Sequence, residues 1–287
     1  MKSFALMPNT VRDKDYKYTK ELINIIGKRA NVLMSKEHIN IGMDVQYVSE
    51  DELFSKADAL IALGGDGTIL SAAAQVSRYD VPVLGINLGH LGFLAEIEPS
   101  NISCAAESLL AGNYKIENRA MIRADICRGG KIISSFHALN DIVVSRASLS
   151  RMLGLRTTID SHLLDTFVAD GVILSTPTGS TAYSLSAGGP IIDPSLETML
   201  ITPVCPHTRH ARPMVVPLDC KLTVELDDNH NNEGALLSAD GEYGIELSSG
   251  DIVYATKSCY MTKLIKITGT TFYDTIRQKL NERGVSK

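Results

Sequence analysis

A short glycine-rich segment constrains the fold of this 287-residue chain more than any other feature. The apolar run Ala57–Leu63 is typical of a buried strand, and it stops at Gly64-Gly65-Asp66-Gly67-Thr68. Helical spacing resumes from Thr68 to about Val76. A strand, a glycine turn and a helix in this order predict part of a parallel α/β sheet, whose ligands bind at the carboxyl ends of the strands.

The first hundred residues repeat this alternation. Lys2–Met7 and Val81–Ile86 are mostly apolar strand candidates, and residues from Asp15 to about Leu33 place apolar side chains on one helical stripe. This alternation of strands and helices predicts an α/β nucleotide-binding domain at residues 1–100.

The pattern changes after about residue 100. Short strand-like runs separated by turn clusters replace the helices, and a helical pattern returns at Phe272–Asn281. We therefore expect a β-rich, β-sandwich-like domain at residues 101–265 that binds the substrate. The segment 266–287 is expected to form a C-terminal helix that returns to the first domain.

Composition excludes several functional classes. The net charge of −5 predicts neither nucleic acid nor membrane as a partner, and no apolar stretch reaches the roughly 20 residues that span a bilayer. Five scattered cysteines without a CxxC pair indicate free, mostly buried thiols in a reducing, cytoplasmic compartment. Cys205, His207 and His210 provide too few ligands for a zinc site, so no metal-ligating residue is predicted.

The chemistry of the glycine segment centres on Asp66. Glycines let the backbone approach a phosphate closely and adopt positive φ, and Thr68 is a good N-cap for a helix that offers free N–H groups to an anion. A carboxylate here would repel phosphate unless it accepts a proton from an attacking hydroxyl or binds a magnesium ion on the phosphates. The alternative is a glycine turn with a surface aspartate. GxGxxG and GxxxxGK[ST] are both absent.

A second motif runs from Asp170 to Ile192. It begins as a strand and continues into a segment of small, hydroxyl-bearing residues around Tyr183, whose flat ring could stack on a base or cover a ribose. Many neutral hydrogen-bonding groups suit a sugar–nucleotide ligand. The alternative is a Ser/Thr-rich turn between two strands. The hydroxyls belong to Thr176, Thr178, Ser180, Thr181, Ser184 and Ser186.

These motifs resemble those of the NAD kinase family. The glycine segment by itself resembles a phosphate-binding signature that NAD kinases share with diacylglycerol and sphingosine kinases. The run Asp170–Ile192 resembles NAD kinases over its whole length, and lipid kinases do not carry it. The resemblance covers about residue 55 to the end of the chain.

Shorter segments agree with this resemblance. Asn87–Leu94 fits the family, and Asn140-Asp141 resembles its Asn-Glu/Asp pair, with Asp where many members have Glu. Thr202–His207 followed by Arg212-Pro213 resembles a late Pro-rich segment. The usual Ser-Ser before Arg-Pro is His210-Ala211 here.

The resemblance implies roles for individual residues. Asp66 would be the catalytic base that accepts the proton of a ribose 2′-hydroxyl, and Gly67 would shape the turn beside it. Asn140 and Asp141 would hold the adenosine ribose or its neighbouring phosphates. Further contacts to the dinucleotide would come from Arg151, Asp170, Thr181, Ala182, Tyr183, Ser184, Leu185 and Ser186. The segment Asp240-Gly241-Glu242 would approach the site late in the chain.

The implied activity is transfer of the γ-phosphoryl group of ATP to the 2′-hydroxyl of the adenosine ribose of NAD⁺, with Mg²⁺ or another divalent cation accompanying ATP. Family members are usually homodimers or homotetramers, so a homo-oligomer is expected. One alternative is a lipid or sugar kinase of the same superfamily, but a lipid acceptor needs an apolar pocket and Thr176–Ser186 is polar. The other is a non-catalytic NAD(P)-binding sensor, which would have no need of Asp66.

Overall fold

A computed structural model describes residues 2–89, 92–147, 152–207, 210–227 and 234–283. The chain divides into two compact units: Met1–Asn118 with Thr262–Lys287, and Arg119–Met261. The polypeptide therefore enters the second unit near residue 119 and returns to the first near residue 262.

The first unit is built on parallel strands. They are β1 (Ser3–Pro8), β2 (Asn31–Ser35), β3 (Gln46–Val48), β4 (Ala59–Gly64) and β5 (Val83–Asn87). Their order in the sheet is β5-β4-β1-β2-β3, and Leu264 pairs in parallel with Val83 of β5. All six residues of β4 are buried, as expected for a central strand covered on both faces.

Helices connect these strands. They are α1 (Lys17–Ile26), α2 (Glu50–Ser55), α3 (Asp66–Val76), α4 (Ile102–Ala111) and the C-terminal helix Phe272–Arg283. Short 3₁₀ helices lie at Lys14–Tyr16, Lys36–Ile41, Ser77–Tyr79 and Pro99–Asn101. Leu22 and Ile26 of α1 pack with Leu109 of α4 and with Phe4 of β1 in one apolar core.

The helix predicted from Asp15 to Leu33 is shorter in the structure. α1 ends at Ile26, and the Gly27 N–H closes its last turn on the Ile23 carbonyl at 2.9 Å. The apolar residues after Ala30 form β2, in which Leu33 pairs with Ala5 of β1. Strand pairing and burial in the sheet outweigh the local helical pattern there.

The second unit is dominated by antiparallel strands. They are β6 (Lys115–Arg128), β7 (Lys131–Ala138), β8 (Asp141–Arg146), β9 (Leu153–Ile159), β10 (His162–Ala169), β11 (Gly171–Ser175), β12 (Thr198–Val204), β13 (Met214–Pro217), β14 (Leu222–Leu226), β15 (Ala235–Ala239), β16 (Glu242–Leu247) and β17 (Ile252–Lys266). A 3₁₀ helix at Thr178–Thr181 and the single-turn helix α5 (Tyr183–Ser186) follow β11.

Two sheets of this unit pack face to face. One has the order β13-β12-β11-β8-β15-β16, and the other contains β10-β9-β14-β17. Val144 and Val172 of the first sheet share one core with Leu155 and Val224 of the second. The expected fold class, an α/β N-terminal domain and a β-rich C-terminal domain, is confirmed.

The exposure of the cysteines and the character of the helices test two expectations drawn from composition. All five cysteines are free; Cys127 and Cys220 are buried, whereas Cys104, Cys205 and Cys259 are exposed. The expectation of mostly buried thiols is therefore wrong. Among the described residues, no helix combines the length and the apolar character needed to cross a membrane.

Candidate active site

The glycine turn after β4 places Asp66 at the start of a helix. α3 begins at Asp66, and Gly65 is its N-cap with extended backbone angles (φ −116°, ψ −171°). The predicted N-cap at Thr68 is therefore wrong; its hydroxyl instead accepts a hydrogen bond from Asn9 Nδ2 at 3.1 Å. Asp66 lies in the first helical turn, where free N–H groups and the helix dipole favour negative charge.

Gly64 and Gly65 of this turn lie close to neighbouring side chains, whereas the space around Gly67 is open. Gly64, Gly65 and Gly67 are all described, and none has the positive φ that we predicted. A Cβ on Gly64 would overlap the Thr68 side chain, and a Cβ on Gly65 would lie 2.5 Å from Arg12 Nη1. The missing side chains therefore make room for their neighbours.

The guanidinium group of Arg12 lies over this turn. Besides approaching Gly65, its Nη1 lies 2.6 Å from where a Cβ on Gly89 would stand. Asn9 Oδ1 accepts the N–H groups of Val11 and Arg12 at 3.1 and 3.2 Å, which fixes the loop after β1. Within the described part of the chain, Arg12 is exposed and has no acidic partner. The sequence pattern does not single out Arg12; the only signal is the Pro8-Asn9 turn.

The carboxylate of Asp66 is oriented by three consecutive backbone amides. The Phe93 N–H donates to Oδ2 at 2.7 Å, and the N–H groups of Leu94 and Ala95 donate to Oδ1 at 3.2 Å each. A side chain on Gly92 would overlap the carboxylate. Each carboxylate oxygen can accept about two hydrogen bonds, so Oδ2 keeps one accepting position for a proton donor.

A second carboxylate holds a turn in the second unit in a similar way. Asp240 accepts the N–H groups of Leu139, Asn140 and Asp141 at 2.8, 2.7 and 3.1 Å. The Asp240 N–H in turn donates to the Asp141 carbonyl at 2.9 Å. Gly179 packs on the same turn, since a Cβ there would overlap the Asn140 backbone. Asp240 thus shapes the Asn140-Asp141 turn from about a hundred residues away in sequence.

This arrangement brings Asp141 and Asp240 close together. Burial, reinforced by the negative charge of Asp240, raises the pKa of Asp141 to about 7. Burial also raises the pKa of Asp240; its three amide donors oppose the shift and Glu242 adds to it. Across the described residues, the Asp141 carboxylate accepts no hydrogen bond, so it is available to a ligand.

Both carboxylates line a cavity of about 400 Å³. Four of the residues predicted to bind the dinucleotide also line it: Asn140, Asp141, Ala182 and Tyr183. Tyr183 is 45% exposed, so its ring can pack against a ligand. The remaining lining residues are Val143, Ser145, Ser238 and Gly241. The cavity combines an aromatic ring, an amide and two carboxylates.

Several predicted hydroxyls face inward, away from any ligand. Ser184 is fully buried, and its hydroxyl bonds the Thr202 hydroxyl at 2.8 Å. Thr176 and Ser180 are also fully buried and donate to backbone carbonyls of Leu139 and Pro177. The hydroxyls of Thr176, Ser180 and Ser184 therefore bond other groups of the protein, and Ser184 stabilises the segment without facing a ligand.

The other predicted residues of this segment are more accessible. The half-buried Thr181 donates its hydroxyl to the Thr178 carbonyl at 3.1 Å. Leu185 is half-buried, and Ser186 is exposed. Neither these three residues nor Gly67 borders the cavity of about 400 Å³.

Asp170 precedes β11 and is paired with an arginine that the sequence pattern does not single out. Arg146 Nε lies 2.9 Å from Asp170 Oδ1, and both side chains are about one quarter exposed. The pair is fixed further by the Arg146 N–H, which donates to the Asp170 carbonyl at 2.9 Å. Arg151 lies outside the described residues, as does the His90-Leu91 part of the segment Asn87–Leu94.

Known proteins resemble the chain over both units. The model of the ATP-NAD kinase N-terminal domain matches residues 6–114, and that of the ATP-NAD kinase C-terminal domain matches residues 139–267. The NAD kinase of Caldanaerobacter subterraneus subsp. tengcongensis is 41% identical over 285 residues, covering 99% of this chain and 100% of the relative.

Solved structures agree. Yeast NADH kinase complexed with NADH superposes with a TM-score of 0.89 at 26% identity, covering all of this chain and 89% of the yeast chain. An NAD kinase from Archaeoglobus fulgidus in complex with ATP gives a TM-score of 0.75 at 25% identity, with coverage of 99% and 100%. The similarity therefore extends over the whole of both units.

Proposed function

The chain belongs to the NAD kinase family, and from this premise we propose that Asp66 is the general base of its phosphoryl transfer. The enzyme transfers the γ-phosphoryl group of ATP to the 2′-hydroxyl of the adenosine ribose of NAD⁺, giving NADP⁺ and ADP. The observation that carries the role of Asp66 is its carboxylate, fixed by three amides with one accepting position left on Oδ2.

The proposed step exchanges one bond of the γ-phosphorus to oxygen for another. The ribose oxygen forms a bond to the γ-phosphorus while the bond from that phosphorus to the β–γ bridging oxygen breaks, and ADP leaves with the electron pair. The ribose hydroxyl transfers its proton to Asp66 as the new bond forms. Such assistance is typically worth ~10²–10⁴ in rate, and the rest of the acceleration comes from positioning and charge stabilisation.

The donor phosphates are proposed to bind beside the glycine turn. The first turn of α3 offers backbone N–H groups, and Arg12 places a cation over Gly65 and Gly89 without an acidic partner among the described residues. A guanidinium group in this position would neutralise the negative charge of the bound donor phosphates.

The donor nucleoside is proposed to occupy a neighbouring cavity of about 370 Å³. It opens at the carboxyl ends of β1 and β2, where ligands of parallel sheets bind. Asn9 lines this cavity and also bonds Thr68, while Leu53 and Phe54 offer apolar surface for a base. One loop, residues 9–12, would therefore contact both nucleoside and phosphates.

Divalent cations are proposed to arrive with ATP. Groups of three or more His, Cys, Asp or Glu side chains suited to a metal do not occur among the described residues. Mg²⁺ bound to nucleotide phosphates keeps several waters and needs only one or two protein carboxylates, so this donor set fits a cation held mainly by ATP. When bound, Mg²⁺ would neutralise phosphate charge.

The acceptor is proposed to bind in the cavity of the second unit. Ribose hydroxyls would donate to the carboxylate of Asp141, which otherwise accepts no hydrogen bond from the described residues. Tyr183 would stack on the base, and the Asn140 amide offers both a donor and an acceptor. Gly67, Asp170, Thr181, Leu185, Ser186 and Arg151 remain proposed contacts by resemblance.

We also propose a cytoplasmic homodimer or homotetramer without nucleic-acid or membrane partners. Edge strand β13 exposes Met214 and Val215, apolar side chains suited to a subunit contact. Light scattering coupled to size exclusion would report a multiple of 31.1 kDa if this is correct, and a monomer would contradict it.

The decisive assay incubates the purified protein with NAD⁺, ATP and magnesium and detects NADP⁺ through an NADP-dependent dehydrogenase. Parallel reactions contain NADH, or diacylglycerol in place of the dinucleotide. We expect NADP⁺ formation that depends on ATP. Phosphorylated lipid without NADP⁺ would support the lipid-kinase alternative, and binding of NAD⁺ without turnover would support the sensor.

A further inference from the structure

The backbone amides that orient Asp66 belong to a loop that is fastened on its other side by Glu96. Glu96 follows Ala95 directly, and its side chain is only 2% exposed. Oε1 accepts three hydrogen bonds: from the Ile267 N–H at 3.0 Å, from the Thr268 N–H at 2.6 Å and from the Thr268 hydroxyl at 2.5 Å. One carboxylate thus joins the loop to the segment after β17.

The second carboxylate oxygen of Glu96 lies near a cation and accepts no hydrogen bond in the described structure. Oε2 is buried and has no hydrogen-bond partner in the described structure; its nearest cation is Lys266 Nζ at 3.6 Å. A buried carboxylate must be compensated by charge or hydrogen bonds to remain ionised. The charge of Lys266 and the three donors on Oε1 together provide that compensation.

The loop has other fastenings, and the strongest of them lies after Glu96: the Asn87 N–H donates to the Ile97 carbonyl at 2.7 Å, and Ile97 forms a β-bridge with Ile86. The N–H groups of Glu96 and Ile97 donate to the Gly85 carbonyl of β5 at 3.2 Å each. The Phe93 ring lies 6.5 Å from the Phe272 ring of the C-terminal helix. Lys279 Nζ also lies 5.5 Å from the centroid of the Phe93 ring. Within residues 93–96 these restraints are ring contacts and one long bond, which are weaker than the charge-assisted bonds of Glu96.

We propose that Glu96 is a positioning residue for the reaction: by anchoring residues 93–96 to Ile267 and Thr268, it holds the three amides that aim the Asp66 carboxylate. Ala95 and Glu96 share a peptide bond, so a shift of the Glu96 side chain displaces an amide that bonds Asp66. The inference rests on the proposed function only in that Asp66 must be the base for the displacement to affect turnover.

The chemistry of the anchor predicts a graded series of variants. Glu96→Ala removes the acceptor of all three bonds, and we expect kcat to fall ~10–100-fold, as misplacement of a catalytic group by about 1 Å does. KM for NAD⁺ and for ATP should change less than about threefold, because neither proposed binding site is touched. Glu96→Gln keeps an oxygen for the three donors and should restore kcat to within about threefold.

The matched control is Glu98→Gln. Glu98 lies two residues after Glu96, is exposed, and borders the same cavity of about 360 Å³. It is the N-cap of the following 3₁₀ helix, but its side chain makes no capping hydrogen bond. This control should leave kcat and both KM values unchanged. A fall in kcat here would mean that any charge lost near the loop slows the enzyme.

Hydrogen–deuterium exchange, followed by NMR on the full chain, provides a readout that does not depend on activity. In Glu96→Ala the amides of Phe93, Leu94 and Ala95 should exchange at least ~10-fold faster than in the parent, while amides of β4 keep their protection. If Glu96→Ala fails to fold, Glu96→Asp, which retracts the carboxylate by one methylene, is measured by the same criteria.

The outcomes separate this inference from the role of Asp66. If Asp66→Asn is inactive, an unchanged kcat in Glu96→Ala, or a lower kcat with the three amides still protected, would overturn the positioning role. Faster exchange confined to residues 93–95 together with lower kcat supports it. Should Asp66→Asn leave turnover intact, the proposed base fails, whereas the exchange result still decides whether Glu96 fixes the loop.

Discussion

Asp66 and Asp240 have the same hydrogen-bonding arrangement but different surroundings. Each accepts three consecutive backbone N–H groups, from residues 93–95 and from residues 139–141 respectively. Around Asp66 the neighbours are the first turn of α3 and, over the adjoining Gly65, the guanidinium group of Arg12. Around Asp240 they are the carboxylates Asp141 and Glu242. The surroundings differ although the local geometry is alike.

This contrast indicates that the same arrangement can orient a catalytic base in one place and stabilise a turn in another. Asp66 lies where negative charge is favoured and keeps a position on Oδ2 for a proton. Asp240 shapes the turn that presents Asn140 and Asp141, and burial there raises the pKa of both aspartates. Loss of the first should affect mainly turnover, and loss of the second mainly folding and NAD⁺ affinity.

The strongest test of the contrast is Asp66→Asn. The amide cannot take the ribose proton, so we expect kcat to fall ~10²–10⁴-fold. Its nitrogen must also face at least one of the three N–H donors, as at Asp240, so the free energy of unfolding falls as well and the two variants differ mainly in kcat. NAD⁺ affinity, measured by calorimetry, should stay within about threefold. The control is Asp44→Asn, an exposed aspartate of the same unit. Near-parent turnover in Asp66→Asn would remove the difference between the two aspartates.

Asp240→Asn should have the opposite profile. An amide nitrogen would face one of the three N–H donors, and a donor left unsatisfied costs roughly 1–3 kcal/mol. We expect this loss in the free energy of unfolding, together with weaker NAD⁺ binding because the Asn140-Asp141 turn loosens. Denaturant unfolding and calorimetry check both, with exposed Asp219→Asn as the control. A change confined to kcat would contradict an architectural role.

Arg12→Ala tests whether the guanidinium group beside the Asp66 turn binds the donor phosphates. Removing a charge-assisted contact to phosphate is worth about 1.5–3 kcal/mol, so KM for ATP should rise ~10–100-fold. KM for NAD⁺ should stay nearly constant, since Arg12 is proposed to contact only the donor. Steady-state kinetics with each substrate varied in turn measures this. Equal rises in both KM values would show that Arg12 does not discriminate donor from acceptor.

A further effect concerns Asp141 and pH. With a pKa raised to about 7, Asp141 binds its proton more tightly when folded, so its contribution to stability is complete below about pH 4 and is lost as pH rises through 7. Asp141→Asn cannot ionise, and above pH 8 it should be more stable relative to the parent than at pH 4, by on the order of 1–4 kcal/mol. A pH-independent difference between the two proteins would contradict the shift.

Local signals predicted much of the first site. The buried run before Gly64 and the helix after it placed Asp66 at a strand–helix junction, as the structure has it. The finer details needed the fold. The guanidinium group of Arg12, more than fifty residues earlier, lies where a Cβ on Gly65 would stand, and no turn rule contains that information.

The second unit was harder to predict for the same reason. The sequence shows a run of hydroxyls around Tyr183, but it does not show that the Ser184 hydroxyl bonds the Thr202 hydroxyl of β12. Asp240 contacts residues about a hundred positions earlier, so only the three-dimensional pairing of β15 with β8 reveals it as the support of the turn. The helix expected through Leu33 was wrong because strand pairing, a tertiary effect, decides that segment.

A structure of this protein bound to NAD⁺ and a non-hydrolysable ATP analogue with magnesium would show whether Asp66 meets the ribose hydroxyl. We expect the adenosine 2′-hydroxyl oxygen to lie ~2.6–3.2 Å from Asp66 Oδ2, with the γ-phosphorus on the opposite side of that oxygen. A ternary complex in which the 2′-hydroxyl points away from Asp66, or lies nearer to another base, would contradict it.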